Sequence, residues 1–141
     1  MKRLMRFGPI AVIFFLLSCK KDTSSKNNNS TLLGKWSILS DSSFLGVGIS
    51  NHAVNYVGQI ADYFDFKTNG KLFIEEKGNL DVLSYTLTSD STIIIDSFLN
   101  DASGVSETCE ITDLTISNAI ISTPILATPG GTFGRKVHLT R

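Results

Sequence analysis

Apolar and polar residues alternate most cleanly over 82–89, where Leu83, Tyr85 and Leu87 fall on one side and Ser84, Thr86 and Thr88 on the other. That period of two is the signature of a strand with one buried face. Similar short runs recur along the chain. They predict strands over Leu33–Ser40, Ala61–Phe66, Lys71–Glu76, Val82–Ser89, Thr92–Ser97, Glu107–Asp113, Ala119–Thr123 and Phe133–Thr140. Turn residues separate them. Asn69-Gly70 is the strongest hairpin signal, because both residues accept positive φ. Gly78-Asn79 and Asp90-Ser91 also read as turns, and Ser117-Asn118 as another. Leu114 breaks the parity of Cys109 and Ile111, which predicts a bulge or the entry to a turn. Phe44–Gln59 fits no strand. Asn51 there is placed to cap a short helix reaching Ile60, the alternative being a loop that lies over one end of the fold as a lid. Eight short strands joined mostly by hairpins define an all-β, antiparallel barrel or sandwich. A barrel has the advantage that closure leaves no exposed edge.

The N-terminus follows a different pattern. Lys2, Arg3 and Arg6 precede an apolar run from Pro9 to Leu17, and Ser18 then stands before Cys19. Positive charge, apolar core and small residue, in that order, make a secretory signal. The run is about half the roughly 20 residues that a spanning helix needs. Leu16-Leu17-Ser18-Cys19 resembles the lipobox of bacterial lipoproteins, with Leu17 where Ala or Ser is usual. The resemblance implies cleavage before Cys19, lipidation of Cys19, and a mature chain held at the bacterial envelope, in the outer membrane, by two or three acyl chains. Residues 20–31 contain no apolar side chain, and such a composition does not bury surface. They read as a tether spanning on the order of 20 Å by random-coil scaling. The expected organisation is a signal over 1–18, a lipidated tether over 19–31 and one domain over 32–141.

Charge and reactive residues narrow the function. The chain has 13 basic and 13 acidic residues; the signal takes three of the basic ones, leaving ten against thirteen and a net charge of −3. A mildly acidic chain without a basic run is not built for nucleic acid. With Cys19 lipidated, Cys109 is left alone and reads as a small buried hydrophobe. His52 and His138 are the only histidines and have no ligand spacing with Cys109, so no metal or other cofactor is implied. Glu75 and Glu76 are neighbours on a strand and face opposite sides. No Gly-x-Ser-x-Gly elbow is present, and Gly46-Val47-Gly48 lacks the strand and helix of a phosphate loop. No catalytic residue is expected, and the chain is read as a non-enzyme.

Leu33-Gly34-Lys35-Trp36, the aromatic hairpin Tyr63–Lys71, the pair Tyr85–Asp90 and Ile93-Ile94-Ile95, and the C-terminal Arg135–Arg141 come in an order that resembles the lipocalin-like domain of small bacterial envelope lipoproteins. The resemblance covers about residues 32–141. It implies an eight-stranded, antiparallel, up-and-down calycin-type barrel, with a short helix or loop between strands 1 and 2. It also implies that Trp36 closes one end beneath a basic side chain, either Arg135 or Arg141. A small hydrophobic ligand would then lie inside, against Phe64, Phe66, Leu83, Tyr85, Leu87, Ile93 and Ile95. The alternative is that these side chains fill the barrel, which then acts as an interaction or structural module of the envelope.

Overall fold

A computed structural model describes residues 32–46, 52–99, 104–129 and 131–141. The signal, Cys19 and the tether lie outside the described residues. Among the described residues ten strands follow in order: β1 (Gly34–Gly46), β2 (His52–Val57), β3 (Tyr63–Phe66), β4 (Lys71–Glu76), β5 (Asn79–Ser89), β6 (Thr92–Asp96), β7 (Ser106–Thr112), β8 (Asn118–Ser122), β9 (Leu126–Thr128) and β10 (Gly131–Thr140). They pair in the order β2-β1-β3-β4-β5-β6-β7-β8-β10-β9, and β1 also pairs with β10. The β1–β10 ladder closes an eight-stranded antiparallel barrel, with strands in near up-and-down order. β2 and β9 are outer strands that lie beyond it on β1 and β10.

β2 replaces the expected helix or loop over Asn51–Ile60. Its origin is the length of β1, which runs to Gly46 instead of ending at Ser40. β3 covers β1 only from Gly34 to Ser37. The edge of β1 beyond that point would expose unpaired backbone groups. β2 occupies this edge from Ser40↔Val57 to Leu45↔His52. β9, which the sequence pattern did not predict, does the same for Gly131–Phe133 of β10. The four strands β2, β1, β10 and β9 thus form a flap rising from one side of the barrel. The candidate lid over Phe44–Gln59 is largely the two strands of this flap; residues 47–51 lie outside the described residues.

Turn chemistry sets the hairpins. At Asn69-Gly70 only Gly70 has positive φ (75°). The N–H of Gly70 donates to the Lys67 carbonyl (3.1 Å), and that of Lys67 to the Lys71 carbonyl (2.8 Å). This is a type I turn completed by a left-handed glycine, not a two-residue type I′ turn. The type I′ geometry is found at Lys77-Gly78, where both φ are positive (56° and 79°). β7 ends at Thr112, and Asp113 at φ 50° makes the turn that the parity break at Leu114 predicted.

Buried and less buried residues alternate along β3, β4, β6, β7 and β8, and the inward ones join those of β1 and β10 in one core. Trp36, Phe64, Phe66, Leu72, Ile93, Ile95, Cys109, Ile121, Val137 and Leu139 are all within 2 % of full burial. Lys35, Asp65, Glu110 and Lys136 are among those that point outward. A polar outer wall around an apolar interior is the reverse of a membrane-spanning barrel. A bulge then changes the parity of β1. Register slips between Ile38 and Ser40, so Trp36 and Ile38 face inward below it and Asp41 above it. Gly58 packs against this bulge, its N–H donating to the Leu39 carbonyl (3.2 Å). A Cβ at Gly58 would lie 1.8 Å from the Ile38 carbonyl oxygen, so only glycine fits.

Candidate functional site

The two ends of the barrel differ in chemistry. At one, Trp36 is fully buried and its Nε1–H donates to the Leu32 carbonyl (2.7 Å). The Arg141 guanidinium stacks 3.8 Å from the centre of the Trp36 ring system. It also donates to the Leu33 carbonyl and, at 3.4 Å, to that of Leu32. Desolvation against the ring lowers the Arg141 pKa. This end is closed, and Leu32, the first described residue, lies there.

Arg135 is not at that end. It lies six residues up β10, about 20 Å away at the rise of a strand. There the inner face changes from apolar to charged. Asp41 from β1, Glu76 from β4, Glu107 from β7 and Arg135 from β10 all face inward, and Asp41 and Glu107 are buried. Arg135 joins three of the elements. Its Nε and Nη2 donate to Asp41 Oδ2 (2.8 and 2.6 Å), and Nη2 also to Glu76 Oε2 (2.8 Å). Its Nη1 donates to the Phe98 carbonyl (3.0 Å), and the guanidinium carbon lies 4.7 Å from the centre of the Phe98 ring. Phe98, in the turn after β6, is fully buried and meets Phe64 edge-on at 6.1 Å. Its N–H donates to Glu107 Oε2 (2.7 Å). Among the described residues, two buried carboxylate oxygens, Asp41 Oδ1 and Glu107 Oε1, have no hydrogen-bond partner.

Above the ion cluster a cavity of about 450 Å³ opens outward. Asp41 and Ser43 of β1 and Arg135 form one wall, Glu76, Lys77, Asn79 and Asp81 of the β4–β5 hairpin the other, and Leu99 contributes from the β6–β7 connection. Asp62 braces the rim. It accepts from the Gln59 N–H (2.7 Å), the Lys77 N–H (3.2 Å) and the Tyr56 hydroxyl. Desolvation acts to raise the Asp62 pKa, but these hydrogen bonds outweigh it and hold the carboxyl below its usual value. The same hydrogen bond, with desolvation and the Asp62 charge added, pushes the Tyr56 phenol up to about 12. Lys77 Nζ sits 4.2 Å over the Tyr56 ring and 3.2 Å from Glu76. β2, the β4–β5 turn and the ion cluster are therefore held as one frame.

The seven residues proposed to line a ligand separate into two sets. Phe64, Phe66, Ile93 and Ile95 are fully packed in the core. Leu83, Tyr85 and Leu87 are only half-buried against it, because β5 flares outward. Tyr85 and Leu87 border a cleft of about 310 Å³ near the closed end, with Leu32, Leu33 and Gly70. Displacing a packed Phe or Ile costs about 1.5–3 kcal/mol each, so this interior does not empty readily. Cys109 is part of the same core; burial, then the nearby Glu107 charge, push its thiol up to about 12. His138 lies half-buried on the outer face, and the His52 side chain lies outside the described residues. Among the described residues no group of His, Cys, Asp and Glu has the geometry to hold a metal ion.

Sequence reasoning missed Asp41, Ser43, Phe98 and the role of Glu76. Asp41 faces inward only because of the bulge, and Phe98 reaches the core only because Ser97 turns left-handed (φ 55°). No family model matches the chain, and no curated protein or solved structure is significantly similar to it. The class that the structure defines is an eight-stranded antiparallel closed β-barrel with two outer strands and a charged, open mouth.

Proposed function

We propose that this is a lipocalin-like lipoprotein, anchored through Cys19 to the outer membrane, that binds a small ligand at its polar mouth without catalysing a reaction. The observation that carries the reading is the division of the barrel. The apolar interior is filled by side chains, while the 450 Å³ cavity lies at the end opposite the one where the tether enters. Binding sites combine a few convergent polar groups with a preformed concave surface, and the mouth supplies both. Asp41 and Glu76 are committed to Arg135, which supports binding over proton transfer.

Methyl and amide NMR on the full chain in neutral detergent micelles, with an extract of the native envelope added, tests the site. Shifts are expected at Ser43, Asn79 and Leu99. Shifts concentrated at Ile93, Ile95 and Leu139 would restore an interior pocket and overturn the mouth. Cys19→Ala is expected to abolish acylation and release the chain from membranes. Retention without acylation would refute the anchor.

A second reading is favoured by the inner face of the flap. Val54 pairs with Ser43, and Leu126 with Phe133, so cross-strand geometry puts them on the mouth side. They remain 47 %, 48 % and 37 % exposed for Val54, Leu126 and Phe133. This wall suits contact with another envelope protein, with the barrel as a rigid support.

A further inference from the structure

We propose that the mouth takes the ammonium head of a small organic monocation, held by Asp41 and Asp81 beside the Arg135 ion cluster. The inference rests on the mouth being a ligand site and adds the charge of what it holds. The cavity brings three carboxylates, Asp41, Glu76 and Asp81, against two cations, Lys77 and Arg135. The cations are engaged. Arg135 donates through Nε, Nη1 and Nη2 to Asp41, Phe98 and Glu76, and Lys77 is turned toward Glu76 and the Tyr56 ring. What remains is acceptor capacity. Asp41 lines the cavity, is 3 % exposed, and its Oδ1 has no partner among the described residues.

A buried carboxylate oxygen without a donor is costly, and a charged donor makes the strongest hydrogen bond to it. An anionic ligand would meet an excess of negative charge and a guanidinium that is already engaged. A divalent metal ion prefers six or more oxygen ligands, and among the described residues no such group is assembled. An ammonium needs only a few acceptors. Ser43 and Asn79 add neutral ones on opposite walls, and Leu99 offers an apolar surface for the body of the ligand.

Three probes of one shape separate the possibilities: benzylamine, benzyl alcohol and benzoate, each titrated by amide NMR into the full chain in neutral detergent micelles. Benzylamine is expected to shift Ser43, Asn79 and Leu99 and to bind at least tenfold more tightly than the alcohol, with benzoate weakest. Asp81→Asn, on the exposed rim, is expected to weaken benzylamine several-fold. Asp41→Asn should weaken it more, provided that Trp36 fluorescence shows an intact fold. Equal binding of amine and alcohol at the mouth overturns the charge preference and leaves the mouth as a ligand site. Silence at the mouth with all three probes, while an envelope extract does shift it, overturns the monocation alone; silence with the extract as well overturns both readings.

Discussion

Replacing Arg135 with Met leaves two carboxylates facing each other in the barrel without their shared cation. Side-chain exposure in the intact cluster is 13 % for Arg135, 4 % for Asp41 and 17 % for Glu76. Glu76 can turn partly to water, whereas Asp41 cannot, and its Oδ1 already lacks a donor among the described residues. Removing one partner of a buried ion pair costs about 3–5 kcal/mol. The partial escape of Glu76 places this site toward the lower end, about 3–4 kcal/mol. Against a total of about 5–15 kcal/mol for an ordinary domain, the loss is large. Urea denaturation followed by fluorescence reads it well, because Trp36 is the only tryptophan and lies at the other end of the barrel. The midpoint is expected to fall by roughly 1–4 M, given typical urea slopes. The triple variant Asp41→Asn, Glu76→Gln, Arg135→Met removes the charges together and is expected to recover most of the loss, since neutral replacement of buried ionic groups is often tolerated. A single variant costing less than about 1 kcal/mol, or a triple variant no more stable than the single, would refute the reasoning.

Gly58→Ala forces a Cβ into the Ile38 carbonyl and should cost about 1–3 kcal/mol or more; a melting temperature equal to wild type would show that the β1 bulge is not held this way. In spectrophotometric titration of the three tyrosines the Tyr56 phenol should stay protonated to about pH 12, and Asp62→Asn should bring that step down while leaving Tyr85, which is raised by burial alone, unchanged. Because the folded Tyr56 pKa lies above its usual value of 10.0, its contribution to stability is complete below pH 10 and lost as pH rises toward 12. Asp62 has the opposite sign. Its folded pKa lies below 3.8, so its contribution is complete above that pH and lost in stronger acid, and Asp62→Asn should flatten the acid limb of stability. Cys109 should resist iodoacetamide at pH 8 in the folded chain and react on unfolding; fast labelling of the native protein would contradict its burial.

Every barrel strand was legible, some such as 82–89 and 133–140 from alternation, because one buried face leaves a period of two, and others such as 61–66 and 92–97 from aromatic or β-branched runs between turn residues. Alternation placed Val137 inward, and Phe64 and Ile93 were expected on apolar faces. The outer strands were not legible. β2 exists because β1 outruns β3, and strand length depends on a partner that a local window does not contain. The Asn69-Gly70 hairpin was located correctly with the wrong geometry, since the sequence specifies a turn more firmly than its type. The resemblance left Arg135 and Arg141 equivalent, and only their places, Arg135 within β10 and Arg141 just past its end, tell them apart.

By itself, the sequence determined an all-β chain of eight core strands, an interior of Phe, Ile, Leu and Val, and the hairpins that join neighbours. These follow from local periodicity and backbone preference. The tertiary structure decided the rest. A one-residue slip at Leu39 turned Asp41 into the barrel, and closure of β1 onto β10 brought Arg135 to it from 94 residues away. Only closure could make that ion cluster, because its members share no segment, spacing or turn.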